Sequence, residues 1–327
     1  MMFKNKKVLV TGGAGMIGRE LVDLLLKEDA NVYVADIKEP EDMKDKVTFS
    51  RVDLRDFSSC MKICEGMDYV FNLVGIKCSP RVAIYEPAKI MGPMMQFNAN
   101  MLEAAMKQNV DWYLYTSTVG VYQPSEILRE DDVWTTQPSK NDWFGGWAKR
   151  MGELHCEAYQ RQYKEGKCSI VRPANVYGPH DNFDLDSAMV IPSLIRKAFS
   201  NDKLEVWGDG SAIRDFVHAR DVARGMIFAV KNKITQPLNM GSGDEITIKR
   251  IAKTIANIAN VPIEWDTTKP KGDPKRLFDM SRAKSLGFEP QISIEDGVAE
   301  TIEWYLKNKH FADTGIDVFK SLDKELE

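Results

Sequence analysis

Apolar residues fall in short blocks along the first half of this chain, separated by stretches with helical spacing. Residues 7–11 predict a strand, and 19–28 carry leucines at helical intervals. Strands are predicted at 31–35, 47–52 and 69–73, with a helix at 56–64 between the last two. A long helix is predicted over 93–109 and a strand over 113–117. Short apolar strands alternating with helices imply a parallel sheet covered on both faces. The rhythm continues through a helix at 147–164 and a strand at 169–172. Past Tyr177 it breaks. A polar loop over 178–186 leads to a helix at 190–199, then short strands at 203–206 and 215–218. Helices are predicted at 221–230, 248–259 and 296–307, with a loop at 267–275. The expected fold is α/β, a doubly wound parallel sheet with a smaller mixed α/β substrate-binding domain.

The first turn carries the clearest chemistry. Residues 8–18 read VLVTGGAGMIG, with Gly12, Gly15 and Gly18 between a predicted strand and a predicted helix. Gly12 suits a tight turn, Gly15 lets backbone approach a pyrophosphate, and Gly18 lets helix and strand pack closely. Met16 and Ile17 open the helix, whose free N–H groups face the phosphates. The arrangement predicts a Rossmann-like dinucleotide site. Asp36 ends the second strand, where a carboxylate accepts both adenosine ribose hydroxyls and repels a 2′-phosphate. It predicts NAD rather than NADP, although Lys38 is able to turn and meet a phosphate. Asp53 and Leu54 follow the third strand at the expected adenine edge, and Asp53 alternatively caps the next helix. Residues 72–75, Leu73 among them, close the fourth strand, and the small ones suit close passage beside the nicotinamide ribose.

Composition narrows the remaining classes. The chain has 327 residues, which favours one large α/β domain with a smaller companion. Forty-four Lys and Arg against forty-eight Asp and Glu leave a net charge of -4, so no basic excess points to nucleic acid. No apolar run reaches the roughly 20 residues that span a bilayer. The start, MMFKNKKVLVTGG, predicts a polar lead into a strand rather than a secretory leader. Cys60, Cys64, Cys78, Cys156 and Cys168 form neither a zinc pattern nor a disulfide framework. A cytoplasmic protein without a metal is expected. Residues 1–175 are expected to form mainly the NAD-binding domain. Residues 176–310 are expected to form mainly the substrate-binding region, with segments returning to the first domain, and 311–327 a charged tail.

Several further motifs carry a family resemblance. They are DL at 53–54, TSTVGVY at 116–122, WAKRMGE at 147–153, RPANVYGPHDNF at 172–183 and GDGSAIRDFVHARDVA at 208–223. With the glycine turn, they resemble the extended short-chain dehydrogenase/reductase superfamily, in its nucleotide-sugar epimerase, dehydratase and reductase branch. Within that branch YGPHDNF at 177–183, VIPSLIRKAF at 190–199 and GDPKRLFDMSRAKSLGF at 272–288 are most similar to the GDP-L-fucose synthases. The resemblance implies Thr118 and Lys149 beside the nicotinamide. It also requires a catalytic Tyr at position 145, where this chain has Gly145. Glycine exchanges no proton, and losing a positioned acid/base typically costs about 10²–10⁴ in rate. Three accounts stay open: an engineered inactive variant, a natural member with another acid/base or a water, or a binding protein. The Cys and His of the fucose synthases correspond here to Gly120 and Met189. Thr118 lacks the Asp-Glu that usually follows it in 4,6-dehydratases.

What remains is redox chemistry at one sugar carbon. The resemblance implies a nucleotide-sugar epimerase acting at C4 of a GDP- or UDP-sugar. The alternatives are a nucleotide-4-keto-sugar reductase and an NAD- and sugar-nucleotide-binding protein without catalysis. Asn175 is expected to reach a substrate phosphate. Asn182 and Val190 are expected to begin the nucleotide cover, and Lys77 to edge the sugar pocket. Arg214 and Arg276 are pyrophosphate candidates, because guanidinium groups pair bidentately with phosphate oxygens. His218 is expected to buttress a helix start. The methionines over 94–106 are expected in core or subunit contact. A nucleotide diphosphate-sugar, GDP-linked before UDP-linked, is the expected ligand. A homodimer is expected, through the helices around 93–109 and 147–164.

Overall fold

The computed structural model describes residues 2–76, 85–163, 167–269 and 274–312. Its strands are β1 (Lys7–Thr11), β2 (Asn31–Asp36), β3 (Thr48–Arg51), β4 (Tyr69–Asn72), β5 (Trp112–Thr116), β6 (Ile127–Leu128), β7 (Cys168–Pro173) and β8 (Asn175–Tyr177). There follow β9 (Leu204–Trp207), β10 (Ile213–Arg214), β11 (Phe216–His218), β12 (Leu238–Met240), β13 (Ile246–Thr247), β14 (Ile263–Asp266) and β15 (Lys275–Phe278). The helices are α1 (Met16–Leu26), α2 (Phe57–Cys64), α3 (Ala88–Lys107), α4 (Trp143–Gln162) and α5 (Val190–Ala198). The rest are α6 (Ala219–Lys231), α7 (Ile248–Ala259), α8 (Ser281–Ser285) and α9 (Ile294–Ala312).

Seven strands form one sheet in the order β12-β7-β5-β4-β1-β2-β3. Every pairing in it is parallel. Alternation along the strands explains the two covered faces. Val8 and Val10 share a core with Leu21, Val22 and Leu25 of α1 and with Val222, Met226 and Val230 of α6. Leu9 points the other way, into a core with Cys60 and Cys64 of α2, Met101 of α3 and Cys156 of α4. Successive strand side chains alternate faces, so β1 alone feeds both layers. Strand order reverses between β1 and β4, and ligands in open α/β sheets bind beyond such a switch point.

The later elements build a third core, in which Ile191 and Ile195 of α5 meet Ile251 and Ile255 of α7 and Val298 and Ile302 of α9. A four-stranded mixed sheet runs β13-β10-β15-β6, with β10 antiparallel to β13 and parallel to β15. The pairs β8–β11 and β9–β14 complete the strands. The expected doubly wound parallel sheet and the smaller mixed sheet are both present.

The differences from expectation have local causes. Helix α3 starts at Ala88, earlier than the expected 93, and carries Pro93 inside. A proline in the second turn loses one backbone bond, and the apolar face it extends offsets that. Helix α4 begins at Trp143, with two glycines in its first turn. Strand β12 is three residues long and wholly buried, so it shows neither alternation nor an apolar run. Its place beside β7 comes from the third segment of the chain returning to the first sheet. Among the described residues no helix is long and apolar enough to cross a membrane.

Candidate active site

The glycine turn is built by backbone geometry. Gly12 has φ +70°, and a Cβ there would meet the Leu73 carbonyl carbon at 3.3 Å. A Cβ on Gly18 would fall 2.3 Å from the Gly12 oxygen, which forbids any side chain. Gly15 caps α1 with extended backbone and no side-chain bond, so the first N–H groups of the helix, at Met16 and Ile17 among others, open onto the turn. Asp36 closes the turn from β2. Its carboxylate accepts the Ala14 N–H at 3.0 Å and the Ile37 N–H at 2.8 Å. Burial pushes its carboxyl up, against these backbone bonds. Arg19, which no motif singles out, donates through Nε to the Ala14 carbonyl at 2.9 Å and pairs with Asp42. Leu73 donates its N–H to the Thr11 carbonyl at 3.1 Å, carrying β4 alongside the turn.

At the third strand, Asp53 accepts the Arg55 backbone N–H at 2.9 Å and its Nε at 2.8 Å. The cap of α2 is Asp56, whose carboxylate accepts from the N–H groups of Ser58 and Ser59. Asp53 therefore stands clear of the helix start. Leu54 is buried, and its carbonyl accepts from Asn100 at 3.0 Å.

Lys149 enters from α4 and is buried. Its Nζ donates to the carbonyls of Val74 at 3.1 Å and Thr116 at 2.8 Å. It thereby ties α4 to the ends of β4 and β5, 5.1 Å from the Tyr115 ring centre. Burial lowers its ammonium to about 7. Thr118 accepts the Gly120 N–H through Oγ1 at 3.2 Å and caps a short 3₁₀ turn at Val119–Val121. Its own hydroxyl hydrogen is left to donate elsewhere.

The two glycines of α4 have different reasons. A Cβ on Gly146 would lie 2.4 Å from the Gly120 oxygen. On Gly145, among the described residues, it would meet the Ile90 Cγ2 at 3.9 Å, which is ordinary contact. Among those residues position 145 has room for a Cβ. Three residues earlier is Asp142, the residue before α4, whose Cγ is 3.4 Å from where a Cβ on Gly120 would stand. Tyr122 is not near this gap: its hydroxyl donates to Asn239 at 2.6 Å and accepts from Arg172 at 3.0 Å. Arg172 in turn pairs with Glu153 at 2.6 Å, both fully buried.

On the substrate side, Arg214 and Arg276 are partners in parallel register on β10 and β15. Two motifs more than sixty residues apart are thus brought side by side. Arg214 donates to the Ile213 carbonyl at 2.8 Å, and Arg276 lies 4.0 Å from Asp142. Between them and the parallel sheet is Asp215, buried and bonded to the N–H groups of Ser242 at 2.7 Å and Gly243 at 3.2 Å. Asn175 spends one amide hydrogen on the Asp215 carbonyl at 2.8 Å. Asn182 organises its own loop through Ser187 at 2.8 Å and Asp184 at 3.0 Å. Val190, the first residue of α5, and Met189 before it are both exposed. Lys77 and Cys78 lie outside the described residues. His218 caps α6 by accepting the Arg220 N–H at 3.2 Å, the helix-start role expected of it. Met94 and Met101 are core, whereas Met95 is exposed.

A glycine turn opening onto a helix N-terminus, at the switch point of a parallel sheet, defines a Rossmann-type NAD(P)-binding protein. The profile of the NAD dependent epimerase/dehydratase family matches residues 8–241, and the chain belongs to that family. It is 30% identical over 319 residues to a putative GDP-L-fucose synthase 2 of Arabidopsis thaliana, covering 94% of each chain. It is 33% identical over 248 residues to the GDP-L-fucose synthase of Escherichia coli K12, covering 68% of this chain and 75% of that one. Among solved structures, the UDP-glucose 4-epimerase of Thermotoga maritima with UDP-glucose superposes with a TM-score of 0.80 at 27% identity, over 93% of this chain and 99% of that one.

Proposed function

We propose that this protein is an NAD-dependent nucleotide-sugar epimerase that oxidises and re-reduces C4 of a GDP- or UDP-sugar. The observation that carries this reading is Asp36, an acid at the end of β2 bonded to the glycine turn at Ala14. An acid there favours adenosine ribose hydroxyls over a 2′-phosphate. Bound cofactor supplies the hydride acceptor and donor. The N–H groups beginning at Met16 and Ile17 hold its pyrophosphate, and Gly12, Gly15 and Gly18 leave it space. Asp53 and Leu54 flank the adenine, and Leu73 and Lys149 the nicotinamide ribose. Thr118 donates to the reacting sugar oxygen. Arg214 and Arg276 grip the substrate pyrophosphate, Asn175 reaches a phosphate, and Asn182 and Val190 begin the cover over the nucleotide.

Gly120 and Met189 offer no group to deprotonate a carbon beside a ketone, which favours simple turnover at C4 over epimerisation elsewhere. GDP is favoured over UDP because the curated relatives include GDP-L-fucose synthases and a GDP-L-colitose synthase of Yersinia pseudotuberculosis. A second reading, a keto-sugar reductase, is favoured by a 28% identical dTDP-4-dehydro-6-deoxy-D-allose reductase of a Streptomyces species. A cytoplasmic homodimer through α3 and α4 is part of the proposal, supported by Met95 and Leu154, which are 41% and 46% exposed on those helices. The division into a cofactor domain over 1–175 and a substrate region over 176–310 belongs to it as well.

Calorimetric titration tests the reading. NAD is expected to bind at least about tenfold tighter than NADP, a margin of about 1.4 kcal/mol. Asp36→Ala is expected to erase it. Tighter NADP binding by the unaltered chain overturns the cofactor assignment. Incubation with GDP- and UDP-sugars is expected to yield a C4 epimer without net NADH. Product that appears only with stoichiometric reduced cofactor selects the reductase.

A further inference from the structure

Three residues before Gly145 stands a carboxylate, that of Asp142, whose backbone lies outside the helical region at φ -112° and ψ 17°. Asp142 occupies the N-cap position, yet its carboxylate makes no capping bond to the helix. It lies instead against Gly120, with its Cγ 3.4 Å from the place a Cβ on that residue would take. The Cγ2 of Thr118 is also 3.4 Å from that point, so the two side chains flank one small space. Arg276 closes it from β15, 4.0 Å from the Asp142 carboxylate. The turn presenting Asp142 is firmly held. The Asp142 N–H donates to the Ser139 carbonyl at 3.0 Å, and the Ser139 N–H to the Tyr122 carbonyl at 3.1 Å. Behind it, Arg150 Nε donates to the Val121 carbonyl at 2.8 Å. About 45% of the Asp142 side-chain surface remains accessible.

Resting on the epimerase reading above, we propose that Asp142 is the catalytic acid/base of this protein, exchanging the proton of the reacting sugar hydroxyl in place of a residue-145 phenol. In the oxidative step the carbinol C–H bond breaks and its electron pair leaves as hydride to the oxidised nicotinamide dinucleotide. The O–H bond breaks with it, its electrons become the second bond of the ketone, and its proton passes to an Asp142 oxygen. The return step reverses each transfer. Thr118 donates to the same sugar oxygen, and the Arg276 guanidinium, 4.0 Å away, attracts the carboxylate from the substrate side.

The test is single-turnover hydride transfer from a nucleotide sugar to NAD, followed by nicotinamide absorbance, alongside calorimetric binding of the same sugar nucleotide. Asp142→Asn is expected to slow hydride transfer by about 10²–10⁴ while affinity stays within about threefold. Adding Gly145→Tyr to Asp142→Asn is expected to restore the rate to within about tenfold of the unaltered chain, since a phenol supplies the missing proton path. A purely structural Asp142 gives no such rescue. An unchanged hydride-transfer rate in Asp142→Asn overturns the proposal, as does a slow double variant that still binds both ligands. An unaltered chain that binds sugar nucleotide and NAD without transferring hydride overturns it too, and leaves the binding-protein reading. No binding of any nucleotide sugar overturns the epimerase reading itself.

Discussion

Glycines mark both ends of the candidate active site, and they are there for opposite reasons. At the cofactor turn, Gly18 has no alternative, because a Cβ would stand 2.3 Å from the Gly12 oxygen. At the start of α4, Gly145 has space among the described residues, with Ile90 Cγ2 at 3.9 Å. The first glycine is a requirement of backbone packing. At the second, no described residue comes close enough to require glycine.

Substitution by alanine puts this contrast to the test, and the largest effect belongs to the cofactor turn. On the proposed reading, Gly18→Ala is expected to weaken NAD binding by more than about 100-fold, because the added methyl displaces the turn proposed to hold the pyrophosphate. Calorimetry reads this directly, and an affinity within tenfold of the original would mean that the turn yields easily. Next comes the pair inside α4. Gly146→Ala is expected to destabilise the fold by about 1–3 kcal/mol through its overlap with the Gly120 carbonyl. Gly145→Ala is expected to stabilise it by about 0.5–1 kcal/mol, as alanine replaces a helical glycine in open space. Urea unfolding of the two variants measures the difference, and equal destabilisation would erase the distinction between them.

The last effect concerns Lys149, between the two ends. Its ammonium is held at about 7 by burial, below its ordinary 10.5. Between those values the unfolded chain binds a proton that the folded chain has released. Stability therefore rises with pH across that window, with a slope approaching one proton, and the contribution is flat below it. Thermal unfolding from pH 7 to pH 10 measures the slope. Lys149→Met is expected to flatten it, and an unchanged slope would show that Lys149 stays charged in the fold through its carbonyl partners.

The sequence by itself determined the cofactor half. Gly12, Gly15, Gly18 and Asp36 were legible because phosphate binding by a helix N-terminus is a local event, written within about thirty residues of chain. Strands β1, β2, β4 and β5 were equally legible, since each is a short and largely apolar run. Lys149 could be placed by its spacing from the rest of its motif. Tertiary structure decided the other half. Arg214 and Arg276 become neighbours only through the register of β10 with β15. Strand β12 joins the main sheet at three buried residues that carry no periodic signal of their own. Asp142 stands beside Thr118 and Arg276 because α4 packs its first turn on Gly120. Its spacing of three from Gly145 was visible in the chain, but not that α4 starts at Trp143 rather than 147 and so makes Asp142 its N-cap residue. Contacts within one turn or one strand–helix unit are encoded by adjacency. Contacts between segments are set by packing, which a pattern along the chain does not record.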